Sequence, residues 1–449
     1  MRDLAVFLLF STGGILALKR PYIAALLWVW IGLMNPHRLG WGFAYDLPFA
    51  MAAAVILLFS ILINRDKVNW TFARPSGILL AFVAWMGITT MFAIHVDESL
   101  ERYIFVLKIL LMLYPIMAVV RTREEILGLV VVISGSLAFF GLKGGLFTIL
   151  TGGSSRVWGP PSSAIEGNNE LAVGLIICVP LLYFLATQTT QIRSLPLLGK
   201  LSDRLIRNTG YLATFFCLVA ALGSQSRGAL LAMIAMGATL WWRSKSKFPL
   251  MITAIVIGVM AVAFMPEEWM GRMNTIKTYD EDASAMGRIN AWTMAINIAN
   301  DRITGAGFST DSELIYQTYA PNPNFVIVAH SIYFQVLGEH GYIGLLLYLG
   351  FWISTYLLAG RVLSQSSGIE TLGWIHSLAS MIKVSLIGFA VGGAFLSLAF
   401  WDMPFYLFVL LVCAQRYAQG ILSAKRTELP SHLQSIETPL ARRAAGTWP

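Results

Sequence analysis

Charge is what this sequence has least of: Asp, Glu, Lys and Arg make up 12% of its 449 residues, against about 25% in soluble globular proteins. That scarcity, beside a hydrophobic share of 57%, excludes an ordinary water-soluble fold and points to a chain that lies in a membrane. Cysteine is scarce too. Cys178, Cys217 and Cys413 each stand alone in apolar segments, so neither a disulfide framework nor a thiolate zinc site is indicated. The phosphate loop GxxxxGK[ST], the zinc pair HExxH, the nucleophile turn GxSxG and the CxxC pair are missing, which removes the common soluble-enzyme templates. Basic residues outnumber acidic ones by 32 to 24, but the surplus is scattered through short loops. It reads as membrane orientation, with no nucleic-acid partner. The opening MRDLAVFLLFSTGGILALKRP lacks a basic leader and a small-residue cleavage site, so it reads as a retained first helix.

What the sequence does contain is a succession of apolar runs. Candidate spans lie near 4–18, 21–34, 47–63, 75–94, 102–120, 124–150, 169–187, 209–223, 227–242, 248–265, 334–360, 373–399 and 403–420. They predict an all-α polytopic membrane protein of about 12 transmembrane helices, at about 20 residues per crossing, with one large periplasmic loop containing short helices. The organisation is then a transmembrane bundle over 1–265, the large loop over 266–333, C-terminal transmembrane helices over 334–420 and a disordered cytoplasmic tail over 421–449. One set of alternate loops carries Lys19/Arg20, Arg65/Lys67, Arg121/Arg123, Lys200/Arg207 and Arg361, and the positive-inside rule makes that set cytoplasmic. The other set, with 151–168, the turn 224–226 and the loop 266–333, faces the opposite side, the periplasm of a Gram-negative cell. Within the large loop, Ile289, Trp292, Ile296 and Ala299 recur at helical spacing, which predicts an amphipathic helix on the membrane surface.

Three polar features fall on that side. Gly223-Ser224-Gln225-Ser226-Arg227-Gly228 is a polar turn between apolar helices. The rigid fork of Arg227 suits a phosphate oxygen, and a snorkelling anchor for a hairpin is the alternative. Arg288, in Met286-Gly287-Arg288-Ile289-Asn290-Ala291-Trp292 and followed by Gly305-Ala306-Gly307-Phe308, reads either as a second phosphate fork or as an interfacial arginine. His330, in Ala329-His330-Ser331-Ile332-Tyr333, stands where the loop returns to the membrane. It reads as a general base for a hydroxyl acceptor or as a structural histidine. Arg156, in TGGSSRVWGPP, offers a third phosphate contact, while Asn168, Asn169 and Glu170 can cap the next span. His340, in Gly338-Glu339-His340-Gly341, is a rival base beside a glycine that suggests a kink. Asp280, Glu281 and Asp282 read as a solvated acidic run rather than a metal site. Lys108, Lys143, Lys383 and Asp402, in or at the ends of spans, mark a pathway or snorkel.

In order along the chain, SQSRGALL, GRINAWTMAINIANDRITGAGFST and AHSIYFQVLGEHGYIGLLLYL resemble the O-antigen ligase and polymerase superfamily. Its shared region has an SRG turn, a GR…W segment closing on a G-x-G-F turn, and an H[NS]-x-[YF] return after a large periplasmic loop. The resemblance covers roughly residues 165–400, with Ser331 standing where many members have asparagine. The N-terminal stretch is similar to a subgroup described as exosortase-associated O-glycosylation ligases. The resemblance implies an inverting, metal-independent glycosyltransferase of the bacterial inner membrane, without a cofactor. It would transfer a glycan from undecaprenyl diphosphate to a hydroxyl of lipid A-core on the periplasmic side. Arg227 and Arg288 would hold the diphosphate and His330 would activate the acceptor. A polymerase and a protein O-glycosylation ligase share this donor. A transporter of lipid-linked sugars is a rival of another class, against which stands the lack of paired broken helices in two matching halves.

Overall fold

The computed structural model describes residues 1–244, 247–248 and 283–428. The described residues form helices and connecting segments, with no β-strand among them. The order is α1 (Arg2–Ala17), α2 (Pro21–Met34), α3 (Phe49–Ile63), α4 (Arg74–Met91), α5 (Val96–Val119), α6 (Arg123–Leu150), α7 (Asn168–Thr187), the short α8 (Thr189–Ile192), α9 (Asp203–Gly223) and α10 (Arg227–Arg243). There follow α11 (Ala283–Asp301), α12 (Glu313–Tyr319), α13 (Ile332–Ser366), α14 (Gly373–Gly392) and α15 (Asp402–Glu428).

Local chemistry explains several boundaries. Pro21 opens α2, where its missing N–H costs nothing, and Asn35 closes it in the left-handed region at φ 46°. Thr122 and Glu125 form a capping box at the head of α6. Ser202 and Ser226 cap α9 and α10 by accepting the N–H groups of Leu205 and Ala229.

Seven helical segments among the described residues are long and apolar enough to cross a membrane: Val96–Val119, Arg123–Leu150, Asn168–Thr187, Asp203–Gly223, Ile332–Ser366, Glu370–Phe395 and Asp402–Ala424. α2 and α3 are apolar but only 14 and 15 residues long. The described residues are thus all-helical in their regular structure and of multi-pass membrane type, though seven such segments among them fall short of the twelve or so expected. The expected span 248–265 lies, apart from Phe248, outside the described residues, as do 266–282 of the large loop and 429–449 of the tail. The last helix continues to Glu428 rather than stopping at 420, because no proline intervenes before Pro430.

The core is built around α15, where every residue from Asp402 to Ala414 is buried, as expected for a helix that is apolar on all sides. α6 and α9 approach closely through small residues; a Cβ added at Gly145 would lie 2.5 Å from the Phe216 carbonyl oxygen. The helix expected over 289–299 exists as α11, but only half of the expected stripe turns inward, Ala299 being buried and Trp292 partly so. Ala291, Met294, Ala295 and Ile298 are buried while Ile289 and Ile296 are exposed. Small residues let that face sit on α13, with Ala295 against Gly338.

Candidate active site around His330

Three helix junctions converge on one short break between α14 and α15, residues 393–401. α14 ends at Gly392, well before the expected 399, and a single 3-10 turn over Gly393–Phe395 leads into extended backbone at Leu396. Gly393 lies under Ile332, a Cβ there falling 2.6 Å from the Ile332 Cδ1. Gly228, next to Arg227, faces Phe395, with 3.2 Å between a built Cβ and the Phe395 Cβ. Ser397 Oγ accepts the backbone N–H of His330 at 2.9 Å. The SRG turn and the AHS return, about a hundred positions apart in sequence, therefore meet through 393–397. Sequence reading missed this segment by treating it as the tail of a span, and its only hint was the Gly392-Gly393 pair.

His330 sits in the left-handed region at φ 45°, which a non-glycine residue adopts at a cost of roughly 1–2 kcal/mol. The surroundings enforce it. Trp292 Nε1 donates to the Ala329 carbonyl at 2.8 Å, and its ring stacks on Phe334 with centroids 4.9 Å apart. Upstream, Asn290 Nδ2 donates to the carbonyls of Asn322 and Phe325, and its Oδ1 accepts the Asn322 N–H. The Tyr316 hydroxyl donates to the Ile327 carbonyl. The segment from Pro321 to His330 is thus tied to α11 and α12 over most of its length, and the histidine is placed by fixed backbone on both sides.

The His330 side chain is half-buried. Its Nδ1 is buried with no hydrogen-bond partner among the described residues. Burial, reinforced by the Arg288 guanidinium, holds its pKa below the ordinary histidine value. That effect puts Arg288, on α11 one turn before Trp292, within electrostatic range of the imidazole. The same charge is felt at Glu170 on α7, which lies within electrostatic range of Arg288.

Arg227 opens α10 directly after its cap Ser226. The turn before it is braced by Asn168 Nδ2, which donates to the Ser224 carbonyl at 2.8 Å, and by Gln225 Nε2, which donates to Gly153. Arg156 stands elsewhere. It lines a groove of about 340 Å³ with Lys143, Phe140, Phe147 and Trp158, and none of Arg227, Arg288 and His330 lines that groove. The two places touch through one strand of backbone, where the Val157 N–H donates to the Gly223 carbonyl at 3.2 Å.

His340 is fully buried. Its Nδ1 lies 2.8 Å from the Thr89 hydroxyl, and Phe82, Phe308 and Phe400 surround it edge-on. A proton acceptor walled in by three phenyl rings cannot meet a sugar hydroxyl, so His340 is a core residue. The kink next to it is real: Gly341 adopts φ 66° and ψ −172° inside α13. The Gly305-Ala306-Gly307 turn docks there, with the N–H groups of Ala306 and Gly307 donating to the carbonyls of Gly338 and Glu339. Asp280, Glu281 and Asp282 lie outside the described residues.

The arrangement defines a helical membrane protein that carries a half-buried histidine and an arginine acting on its charge at one end of the bundle. Residues 212–349 match a family model described as O-antigen ligase, and over that stretch the chain shares the O-antigen ligase and polymerase superfamily's domain. Arg227, Arg288 and His330 all fall inside the match. Residues 1–190 match a model described as a family of unknown function (DUF5935), which contains Arg156 and Glu170, whereas Ser397 lies beyond both. None of the curated proteins compared with the chain matches it. The family match supports a lipid-linked glycan transferase.

Proposed function

We propose that the protein is an inverting, metal-independent glycosyltransferase. It moves an O-antigen glycan from undecaprenyl diphosphate to a hydroxyl of lipid A-core at the periplasmic face of the bacterial inner membrane. The observation that carries this reading is the joining of the His330 segment to the SRG turn, both inside the O-antigen ligase match, through 393–397, with Arg288 in electrostatic range of the imidazole. The imidazole, kept neutral by burial and by Arg288, takes the proton of the acceptor hydroxyl. The hydroxyl oxygen attacks the anomeric carbon from the face opposite the diphosphate, the bond from that carbon to the diphosphate oxygen breaks, and the configuration inverts. Arg288 and Arg227 hold the diphosphate as it leaves with its added charge. Charge-assisted hydrogen bonds of this kind are worth about 1.5–3 kcal/mol each, and aimed at developing charge they lower the barrier rather than only the ground state. Arg156 offers a further contact for the donor from the adjoining groove.

The test is transfer by purified protein in detergent with chelator present, from undecaprenyl diphosphate glycan to lipid A-core, comparing wild type with His330→Ala. Product from wild type alone supports the reading. Equal product from both removes His330 from the chemistry. Transfer to a second lipid-linked glycan or to a protein hydroxyl, with none to lipid A-core, overturns the acceptor.

A further inference from the structure

A wide, basic cleft lies at the other end of the bundle. It has a volume of about 790 Å³ and is lined by Lys19, Arg20, Lys67 and Arg121, with Tyr22 and Glu125 among the rest. The cations come from three separate connections, α1–α2, α3–α4 and α5–α6, which the fold brings around one space. α6 starts at this cleft and runs 28 residues to Leu150, roughly 42 Å at 1.5 Å per residue. There the following loop bonds to the turn before Arg227. The cleft therefore opens on the membrane face opposite His330.

Its charge is not neutralised from within. Lys67 Nζ donates to the Lys19 carbonyl and to Asn64 Oδ1, and Arg121 Nη1 donates to the Asp66 carbonyl. These partners are neutral oxygens that fix the rim without cancelling its charge. Glu125 is the one carboxylate in the lining, and its oxygen accepts the backbone N–H groups of Arg121 and Thr122. The side chains of Lys19 and Arg20 have no hydrogen bond or ion pair among the described residues. Pro21, Tyr22 and Val119 supply an apolar wall where the helices begin and end.

We infer that this cleft binds the headgroup of an anionic phospholipid carrying two phosphates, drawn from the leaflet on that side. Basic pockets between transmembrane helices recognise such headgroups by charge. Four cations against one occupied carboxylate suit a doubly charged group. The volume is that of a drug-sized ligand site, far more than a free phosphate fills, and Pro21, Tyr22 and Val119 offer apolar surface to an acyl chain. The inference requires only that the chain spans a membrane and is independent of the reaction at His330.

The experiment compares three full-length proteins: wild type, Lys19→Gln/Arg20→Gln, and Lys200→Gln/Arg207→Gln. The third loses the same charge from the start of α9, on the same face but outside the cleft. Native mass spectrometry and thermal unfolding in detergent read binding of added diphosphatidylglycerol, phosphatidylcholine or inorganic phosphate. Wild type and the Lys200/Arg207 variant should retain diphosphatidylglycerol over phosphatidylcholine, and the Lys19/Arg20 variant should bind it at least about tenfold more weakly. Equal weakening in both double variants would reduce the effect to general surface charge. Stabilisation by inorganic phosphate equal to that by the lipid would make this a free-anion site, and no preference over phosphatidylcholine would leave no lipid site. Each of these three results overturns the inference.

Discussion

The Oγ of Ser397 holds the backbone N–H of His330 at 2.9 Å across 67 positions of sequence. The bond matters because His330 sits at φ 45°, a conformation its own side chain disfavours. Ser397 is thus a positioning residue for the proposed base. Its loss removes a bond worth about 1 kcal/mol, so Ser397→Ala should lower kcat about fivefold with KM nearly unchanged. Ser397→Thr keeps the hydroxyl and should restore most of the rate. If Thr were as impaired as Ala, or Ala as active as wild type, the hydrogen bond would have no part in placing the histidine.

The depressed pKa of His330 has two causes, burial first and the Arg288 charge second. Both disfavour the imidazolium, so the neutral base persists below the ordinary value of 6.5. Activity should hold as pH falls through 6.5 and drop only when pH passes the lowered pKa. Arg288→Gln removes the lesser cause, and the His330 pKa should rise part of the way back. Carbon NMR of labelled histidine in detergent, with the resonance assigned by its loss in His330→Gln, reads this without any turnover. A wild-type pKa at or above 6.5, or one unmoved in Arg288→Gln, would separate the two side chains.

Much of the architecture is written in the sequence because apolar runs and cap chemistry are local. Pro21, the Thr122–Glu125 box and Ser226 each mark a helix start within a residue or two of where it lies. Site contacts that depend on tertiary placement were not legible. Ile289 and Ile296 share a helical stripe as good as that of Ala291 and Ala295, and only the approach of Gly338 selects the second. Ser397 looks like any small polar residue in an apolar run until α14 stops at Gly392. His340, the rival base, is walled off by the rings of Phe82, Phe308 and Phe400, which lie far apart in the sequence and give no local signal of that enclosure.

Gly341 makes the kink in α13, and Gly305 fits against it. A Cβ at Gly341 would lie 2.3 Å from the Ile303 carbonyl oxygen, and one at Gly305 would lie 2.7 Å from that of Gly338. Both residues have positive φ, 66° and 67°. Gly341→Ala combines left-handed strain with a backbone clash, and strain of this kind alone costs about 1–3 kcal/mol. Thermal unfolding in detergent should show a clear fall in midpoint for Gly341→Ala and for Gly305→Ala. An unchanged midpoint in both would mean that the docked turn does not brace the helix.

Trp292 tests whether the two sides of His330 act together. Its Nε1 holds the Ala329 carbonyl at 2.8 Å, while Ser397 holds the next N–H along the chain. Trp292→Phe deletes the donor and keeps an aromatic ring to pack on Phe334, so it should lower kcat by about the same few-fold as Ser397→Ala, each losing one hydrogen bond. The two bonds restrain adjoining groups of one backbone segment, so their effects should not add. Once one is lost and His330 has relaxed from the left-handed region, the other has less left to hold, and the double variant should fall short of the product of the single effects. Multiplicative losses in kcat would instead show two independent supports. They would place the restraint in Trp292 packing and Ser397 packing separately rather than in a shared clamp on the peptide units around His330.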